Sequence, residues 1–269
     1  MNIEKRKNQG GMMTQIIVFG SVPLATWVAS KIIEHPSALL RGIVCEHKSR
    51  EFIHHRLKYP CAYDFACSEG VELLNLTDIS NVVDSKADFL GVSVRFHQII
   101  PAQVIDLFSY GIVNLHGGEL PRYRGVNVAN HCILENASKG AGTLHFIDPG
   151  VDTGSIIARR YFDICLTDTA YDVFLKTQSA LLTLFEDNLQ DILDGVASAT
   201  PQQFYIDKGE TTGTYKRKDI EKFRELDIAM SLDELDRRAR AFAFPGHEPA
   251  YFSSGVNRLY LTTVYDRKF

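Results

Sequence analysis

The first half of the chain alternates short apolar runs with segments of helical periodicity. Five apolar runs predict strands, and they read QIIVFGS, LLRGIVC, VELLNL, ADFLGVSV and GIVNLH. Helical periodicity predicts a helix over roughly Leu24 to Glu34 and another over PAQVIDLFS, with Pro101 in its first turn. Apolar strands separated by helices are typical of an α/β fold with a doubly wound, mostly parallel sheet.

The next segment predicts two strands and a long helix. The strands GTLHFID and SIIARRYFDI flank the glycine-bracketed turn PGVDTG. The helix is expected to begin with Thr167 or Asp168 as its N-cap and to end at Gly195. Its apolar residues recur on one stripe and predict a buried face: Val173, Phe174, Leu181, Leu184, Phe185, Ile192 and Leu193.

A change of composition near residue 200 indicates a domain boundary. From Pro201 the chain is polar and turn-rich, and SLDELDRRARAFAF then predicts an amphipathic helix followed by short strands. The polar N-terminus runs into the first strand without the apolar segment of a signal peptide. We expect a disordered leader at 1–13, a main domain at 14–200 and a small mixed α+β domain at 201–269.

Composition narrows the functional classes. The 269 residues include 29 Lys and Arg against 33 Asp and Glu, a net charge of −4, which disfavours nucleic-acid binding. The chain has no apolar run long enough to cross a membrane, and its five cysteines lack CxxC spacing, which favours reduced thiols in the cytoplasm. His47, His54 and His55 fit no recognised metal-site spacing, and we predict no metal.

The turn after the first predicted strand excludes two common ligand classes. FGSVPLA has one glycine where a dinucleotide-binding fold has G-x-G-x-x-G, so NAD and FAD are not supported. No Walker lysine follows, which disfavours ATP. The crevice at the carboxyl ends of the strands is then expected to bind another ligand.

The stretch GIVNLHGGELPRYRG, residues 111–125, places chemistry at that edge of the sheet. Asn114 and His116 are two apart on a strand and therefore share a face. Asp152 in PGVDTG adds a carboxylate. An amide, an imidazole and a carboxylate suit acyl transfer, because the first two donate to an oxyanion and the third handles a proton. No GxSxG or paired cysteine supplies a nucleophile, so direct transfer to an amine is favoured. Singly, each residue is more typical of a turn, a cap or a buried structural histidine.

These motifs resemble those of the folate-dependent formyltransferases. The resemblance covers about residues 14–200 and consists of Asn-Leu-His at 114–116, Leu-Pro at 120–121, Arg-Gly at 124–125 and then HFIDPGVDTGSII. It implies a Rossmann-like catalytic domain, 10-formyltetrahydrofolate as the formyl donor, and a catalytic trio of Asn114, His116 and Asp152. One departure is Gly-Gly-Glu at 117–119, where small or apolar residues are more usual.

The resemblance also implies where the folate binds. SVRFHQIIP is similar to the segment that lines the pterin pocket, with Asp148 and Gly150 of the IDPGVD loop as the other wall. A pterin needs a flat apolar slot with backbone hydrogen bonds. The residues expected from SVRFHQIIP are Arg95, Phe96, Ile99 and Ile100. Core packing remains open as an alternative for Phe96 and Ile99.

Among the branches of the family, the sugar N-formyltransferases fit best. They formylate the amine of a nucleotide-linked amino sugar, which implies glycan biosynthesis such as that of lipopolysaccharide. A diphosphate needs positive charge and a base needs an aromatic ring, and the candidates are Arg122, Arg124, Tyr215, Lys216 and Arg217. A solvated basic turn is an equal alternative for any one of them. A methionyl-tRNA formyltransferase, with a larger C-terminal domain and basic surfaces, is the first rival function. A non-catalytic folate or nucleotide-sugar binding protein is the second, and a homodimer through the C-terminal strands is possible.

Overall fold

The computed structural model describes residues 13–45, 59–84 and 87–263. Of the predicted leader, 1–12 lie outside the described residues, as do His47, His54 and His55. The chain divides into two compact units. The first contains the described residues up to Ile112 together with Leu189–Ala197, and the second contains Val113–Asn188 and the residues from Ser198 onward.

The first unit is a β-α-β arrangement of parallel strands. Its strands are β1 (Thr14–Phe19), β2 (Ala38–Val44), β3 (Leu73–Leu74) and β4 (Phe89–Val94). Its helices are α1 (Pro23–Glu34), α2 (Ala62–Glu69), α3 (Ile79–Val82) and α4 (Ala102–Ile105), with a 3₁₀ turn at Leu76–Asp78. The strands pair in parallel in the order β3-β2-β1-β4. Every residue of β4 is buried, as in parallel strands that are covered on both faces.

The remaining elements belong to the second unit, apart from Ile112 and the last residues of α6. The strands are β5 (Ile112–His116), β6 (Arg124–Gly125), β7 (Lys139–Phe146), β8 (Ile156–Asp163), β9 (Thr214–Tyr215), β10 (Glu225–Leu226), β11 (Ala250–Ser254) and β12 (Asn257–Leu261). The helices are α5 (Val128–Leu134), α6 (Ala170–Leu193), α7 (Gln202–Asp207) and α8 (Leu232–Phe242), with a 3₁₀ helix at Arg217–Phe223.

The large sheet has seven strands in the order β3-β2-β1-β4-β5-β7-β8. The pairs β5–β7 and β7–β8 are antiparallel. The predicted α/β class with a large, mostly parallel sheet is confirmed, and the antiparallel strands lie at one edge. Among the described residues, no helix combines the length and apolar character needed to cross a membrane.

Helix α6 begins later than its sequence indicates. The N-cap is Thr169, and the predictions of Thr167 or Asp168 were wrong. The Asp172 amide donates to Thr169 Oγ1 at 3.2 Å, and the Thr169 amide donates to Asp172 Oδ2 at 3.0 Å, which forms a reciprocal capping box. The Asp168 carboxylate instead accepts from the Cys165 amide at 2.7 Å. All seven predicted stripe residues are buried, which confirms that prediction.

The core of the second unit draws on both sides of residue 200. Tyr123, Cys132 and Val173 share one hydrophobic cluster with Ile220 and Phe242, and all five are buried. Residues beyond 200 thus help to bury the segment that follows β5. The predicted domain boundary at this position stays a prediction.

Candidate active site

The end of β5 presents two polar side chains on one face. Asn114 is half-buried and His116 is only 6% exposed. In the antiparallel pairing with β7, His145 lies opposite Asn114 and Thr143 lies opposite His116. Residues directly opposite each other in such a pair have their side chains in contact distance. The strand pairing therefore brings His145 to the predicted site.

The loop between β7 and β8 is held in shape by Asp148. Asp148 Oδ1 accepts from the Gly150 amide at 3.1 Å and from Thr153 Oγ1 at 2.6 Å. A Cβ added at Gly150 would lie 2.0 Å from Thr153 Oγ1, so this position requires glycine. Both residues shape the loop that carries Asp152, and their predicted contact with the folate stays a prediction.

The structure brings Asn114, His116 and Asp152 together. Asp152 Oδ2 accepts from the Gly125 amide at 2.8 Å and lies 3.5 Å from His116 Nδ1. Asp152 Oδ1 lies 3.5 Å from Asn114 Nδ2. One carboxylate thus contacts both other members of the trio, whose catalytic role stays a prediction.

The tautomer of His116 follows from its backbone contact. His116 Nε2 lies 2.6 Å from the Tyr123 carbonyl oxygen. Because a carbonyl oxygen can only accept, Nε2 carries the hydrogen, and Nδ1 faces Asp152. Burial lowers the pKa of His116 below its ordinary value, more than the negative charge of Asp152 raises it. The ring is therefore neutral at neutral pH, with Nδ1 able to accept a proton.

Asp152 keeps its negative charge despite partial burial. Burial alone would raise the pKa of the Asp152 carboxyl, but His116, His145 and the Gly125 amide together hold it well below its usual range. A fixed carboxylate beside a neutral imidazole stabilises the imidazolium that forms when the ring takes up a proton.

Gly118, two residues after His116, leaves space for the imidazole ring. A Cβ added at Gly118 would lie 3.0 Å from His116 Nε2, in the region where that nitrogen meets the Tyr123 carbonyl. The Gly118 carbonyl accepts from Thr143 Oγ1 at 2.6 Å, which fixes the turn. Glu119 accepts from the Tyr161 hydroxyl at 3.1 Å. The unusual Gly-Gly-Glu sequence is thus compatible with a close contact behind the imidazole.

His145 is a site residue that sequence reasoning missed. Its Nδ1 donates to the Phe146 carbonyl at 2.7 Å, so Nε2 is left as an acceptor, 3.1 Å from Asn114 Nδ2. His145 Nε2 also lies 3.7 Å from Asp152 Oδ1. The ring thus orients the Asn114 amide with its nitrogen toward the carboxylate.

Two predicted substrate residues, Arg122 and Tyr215, meet at Glu135. The Tyr215 hydroxyl donates to Glu135 Oε1 at 2.7 Å, and Arg122 Nη2 donates to Glu135 Oε2 at 3.3 Å. The Tyr123 hydroxyl donates to the same Oε2 at 3.0 Å. Burial, followed by Glu135, raises the pKa of Tyr215. Glu135 was not predicted, because it follows helix α5 and is 80 residues from Tyr215.

The other predicted basic residues lie elsewhere. Arg124 donates through Nε and Nη2 to Gln202 Oε1, at 2.9 and 2.7 Å. Lys216 and Arg217 are exposed at the start of the 3₁₀ helix, where the Lys216 amide donates to Asp219 Oδ2 at 2.7 Å. The predicted substrate residues therefore fall into separate groups, and their role stays a prediction.

The predicted pterin residues belong to the first unit, directly after β4. Phe96 packs edge-on against Phe19 with ring centroids 5.7 Å apart, and Ile100 is buried. Ile99 is 79% exposed, and Arg95 has a positive φ of 50°. Phe96 is thus partly a packing residue, whereas Ile99 is accessible to a ligand.

A cavity of about 450 Å³ lies beside the Asp152 loop, and its lining includes Arg124, Phe146, Asp148, Thr153 and Gln202. This volume is in the range of small-molecule pockets. Among the described residues, no group of three or more His, Cys, Asp or Glu side chains could hold a metal ion.

Comparison with known proteins relates part of the chain to one family. Residues 72–185, which include all three members of the trio, match the profile of the formyl transferase family. The match covers less than half of the chain. The chain is 28% identical over 226 residues to a methionyl-tRNA formyltransferase of Halothermothrix orenii, across 82% of this chain and 69% of that protein. A methionyl-tRNA formyltransferase of Corynebacterium urealyticum is 29% identical over 157 residues, 58% of this chain and 44% of that protein.

Solved structures of N-formyltransferases share the fold of this chain. A 4-N formyltransferase from Francisella tularensis has a TM-score of 0.76 at 20% identity, covering 94% of this chain and 98% of that one. WlaRD, a sugar 3N-formyl transferase solved with dTDP and 5-N-formyl-THF, has a TM-score of 0.73 at 23% identity, covering 90% and 83%. An N-formyltransferase from Helicobacter canadensis, solved with folinic acid and dTDP-3-aminofucose, has a TM-score of 0.72 at 21% identity, covering 92% and 86%.

Proposed function

We propose that this enzyme transfers a formyl group from 10-formyltetrahydrofolate to the amine of a nucleotide-linked amino deoxysugar. The observation that carries the proposal is the contact of the Asp152 carboxylate with both Asn114 and His116, each at 3.5 Å. The sugar as acceptor is supported by fold neighbours that are sugar N-formyltransferases, two of them solved with a folate and a nucleotide or nucleotide sugar.

The proposed reaction is a direct transfer between two nitrogens. The neutral sugar amine attacks the formyl carbon, a new C–N bond forms, and the carbonyl oxygen becomes an oxyanion. The bond between the formyl carbon and the folate N10 then breaks. The amine loses one proton and N10 gains one, so the products are a formamide and tetrahydrofolate.

Asn114 is suited to stabilise the oxyanion. Its amide nitrogen has two hydrogens, of which one is directed to His145 Nε2 at 3.1 Å. The other has only the long 3.5 Å contact with Asp152 and is available to a developing negative charge. A preoriented donor of this kind needs no reorganisation during the reaction.

His116 and Asp152 are suited to move the proton. Neutral His116 presents Nδ1 as an acceptor, and Asp152 stabilises the resulting imidazolium from 3.5 Å. The same pair can return the proton to the departing N10. Once protonated, the positive charge of the His116 ring also stabilises the oxyanion electrostatically.

The ligands would use the residues named from the sequence. Arg95, Phe96, Ile99 and Ile100 would contact the pterin, and exposed Ile99 is the side chain best placed to cover a ring. For the diphosphate, exposed Lys216 and Arg217 are the more available charges, since Arg122 and Arg124 already donate to Glu135 and Gln202. The product would enter cell-surface glycan synthesis in the cytoplasm.

Methionyl-tRNA is the rival acceptor, because curated relatives of this chain are methionyl-tRNA formyltransferases. Against it stands the net charge of −4, since tRNA binding requires a basic surface. The two acceptors make the same chemical demand on the trio and differ only in the surface that binds them.

The deciding experiment supplies purified protein with 10-formyltetrahydrofolate and a panel of nucleotide-linked 3-amino and 4-amino deoxysugars. Mass spectrometry after HPLC then detects a product heavier by one formyl group. Product with one sugar, lost in Asn114→Ala, supports the proposal. Product only with methionyl-tRNA would refute the sugar acceptor, and folate binding without product from any acceptor would favour a binding protein.

A further inference from the structure

Gln202 is a buried side chain whose amide is fully hydrogen-bonded. It is 4% exposed and opens helix α7, beyond the predicted domain boundary. Its Nε2 donates to the Asp152 carbonyl at 2.8 Å and to the Gly154 carbonyl at 2.9 Å. Its Oε1 accepts both Nε and Nη2 of Arg124. Two donors and two acceptor sites are thus all used within the protein.

The two carbonyls that Gln202 binds, those of Asp152 and Gly154, lie on either side of Thr153 in the turn that carries Asp152. Asp152 has φ of 51°, a left-handed conformation that is unfavourable for a residue other than glycine. Such a conformation persists only where surrounding contacts enforce it. Gln202 supplies those contacts, because one amide group fixes the backbone on both sides of Thr153.

Arg124 determines which way the Gln202 amide faces. A guanidinium group only donates, so it requires the oxygen of Gln202 on its side. The nitrogen is then directed to the Asp152 loop. A flipped amide would oppose N–H groups to the guanidinium and leave two carbonyls without a donor, a costly arrangement at a buried site.

Consecutive residues therefore hold Asp152 at two points. Gly125 donates its amide to the Asp152 carboxylate, and Arg124 acts on the Asp152 backbone through Gln202. Strand β6, made of these two residues, is itself paired with β9 at Thr214 and Tyr215. The position of the carboxylate thus depends on residues beyond 200 through both a side chain and a strand.

We propose that Gln202 is a positioning residue that sets the distance and orientation of the Asp152 carboxylate toward His116. The rate changes predicted from this proposal rest on the proposed function. The positioning of Asp152 by Gln202 does not depend on which reaction the site catalyses. The contrary view is that Gln202 only satisfies buried carbonyls, so that its loss would lower stability alone.

The first test measures the pKa of His116 without any substrate. The charged or titratable groups that face His116 are Asp152 and His145. Nuclear magnetic resonance of histidine-labelled protein follows the ring, with His116→Asn identifying its signal. Because the Asp152 charge raises the pKa of His116, Asp152→Asn should lower it, and Gln202→Met should lower it in the same direction by less.

Gln203→Met is the matched control. Gln203 is the next residue of α7, and its Nε2 donates to Asp207 Oδ1 at 2.7 Å, an exposed contact that does not involve Asp152. It should leave the pKa of His116 unchanged. An unchanged pKa in Gln202→Met, with the Asp152→Asn shift present, would overturn the proposal whether or not any formyl acceptor is found.

The second test is a double-mutant cycle that measures kcat. It uses the formyl acceptor identified in the experiment with the panel of amino sugars. We expect Gln202→Met to lower kcat about tenfold, since small misplacements of catalytic groups cost this much or more. In an Asp152→Asn background the same change should cost little, because it acts through Asp152. An equal loss in both backgrounds would refute the positioning role.

A second substitution at the same position is used in case Gln202→Met does not fold. Gln202→Glu keeps an acceptor for Arg124 and a similar volume but has no hydrogens for the two carbonyls. It should lower kcat as Gln202→Met does. A wild-type kcat in a folded Gln202→Glu protein would also refute the proposal.

Discussion

Asn114 and His145 lie directly opposite each other on β5 and β7, and Asn114 Nδ2 stands 3.1 Å from His145 Nε2. The Phe146 carbonyl takes the other ring nitrogen as its donor at 2.7 Å, so the imidazole meets the amide as an acceptor. The proposed oxyanion donor is therefore oriented by its cross-strand neighbour.

Replacing His145 should reduce turnover by releasing the Asn114 amide. We expect His145→Ala to lower kcat about tenfold with a small change in KM, because the amide loses its acceptor. His145→Gln, which retains an acceptor oxygen, should recover part of the loss. Steady-state kinetics of both variants, and of His145→Ala combined with Asn114→Ala, measure this. If the loss were equally large without Asn114, His145 would act on something else.

Removing the charge of Asp152 should change both the rate and its pH dependence. Asp152→Asn is expected to lower kcat by about two orders of magnitude, since the imidazolium loses its counter-charge. His116 acts in its neutral form, and the negative charge of Asp152 raises its pKa. Without that charge the pKa falls, so the acidic limb of the kcat–pH profile should move to lower pH. A limb that stays in place would mean that another group controls it.

The spacing of residues along the chain predicts part of the site. Contacts that depend on how two strands align with each other cannot be predicted in this way. Asn114 and His116 are visible because an alternating pair ends an apolar strand, and Asp152 because glycines bracket its turn. His145 was not predicted as a site residue, because the antiparallel alignment of β5 and β7 cannot be derived from the sequence of either strand alone.

Polar contacts between residues far apart in the sequence were not predicted either. Gln202 looks like a residue of a polar loop, and Glu135 like a helix end, until folding brings Arg124 and Tyr215 to them. Strands β6 and β9 have two residues each, too few to show the alternation of apolar and polar residues that predicts a strand. Strands β1, β2, β4 and β5, in contrast, are mostly apolar and buried, which is why the fold class was predictable.

Acid should destabilise the protein through His116. Its folded pKa is lowered from 6.5 by burial, so below pH 6.5 the unfolded state binds more protons and stability falls as pH falls through the folded pKa. His116→Asn should reduce the slope of stability against pH in this window. Urea unfolding at a series of pH values measures the slope, and His97→Asn, at an exposed histidine, is the control. Equal slopes for wild type and His116→Asn would show that His116 is not buried in its neutral form.

Replacing Gly125 should cost more stability than its positive φ alone explains. Gly125 and Gly209 both have φ of 90°, but a Cβ at Gly125 would lie 2.1 Å from the Tyr215 carbonyl oxygen, whereas Gly209 has nothing within 4 Å. Gly209→Ala should therefore cost about 1 kcal/mol from strain alone. Gly125→Ala should cost about 3 kcal/mol or more, because β6 must separate from β9.

The same pair of variants tests whether β6 controls the carboxylate. The Gly125 amide donates to Asp152 Oδ2 at 2.8 Å, so displacing β6 should lower kcat as well as the free energy of unfolding. Gly209→Ala should leave kcat at the wild-type value. Urea denaturation and kinetics on both proteins measure the two effects. Should Gly125→Ala lose stability but keep full activity, Asp152 would be held in place without its strand contact, and Gln202 would remain as the contact that fixes it.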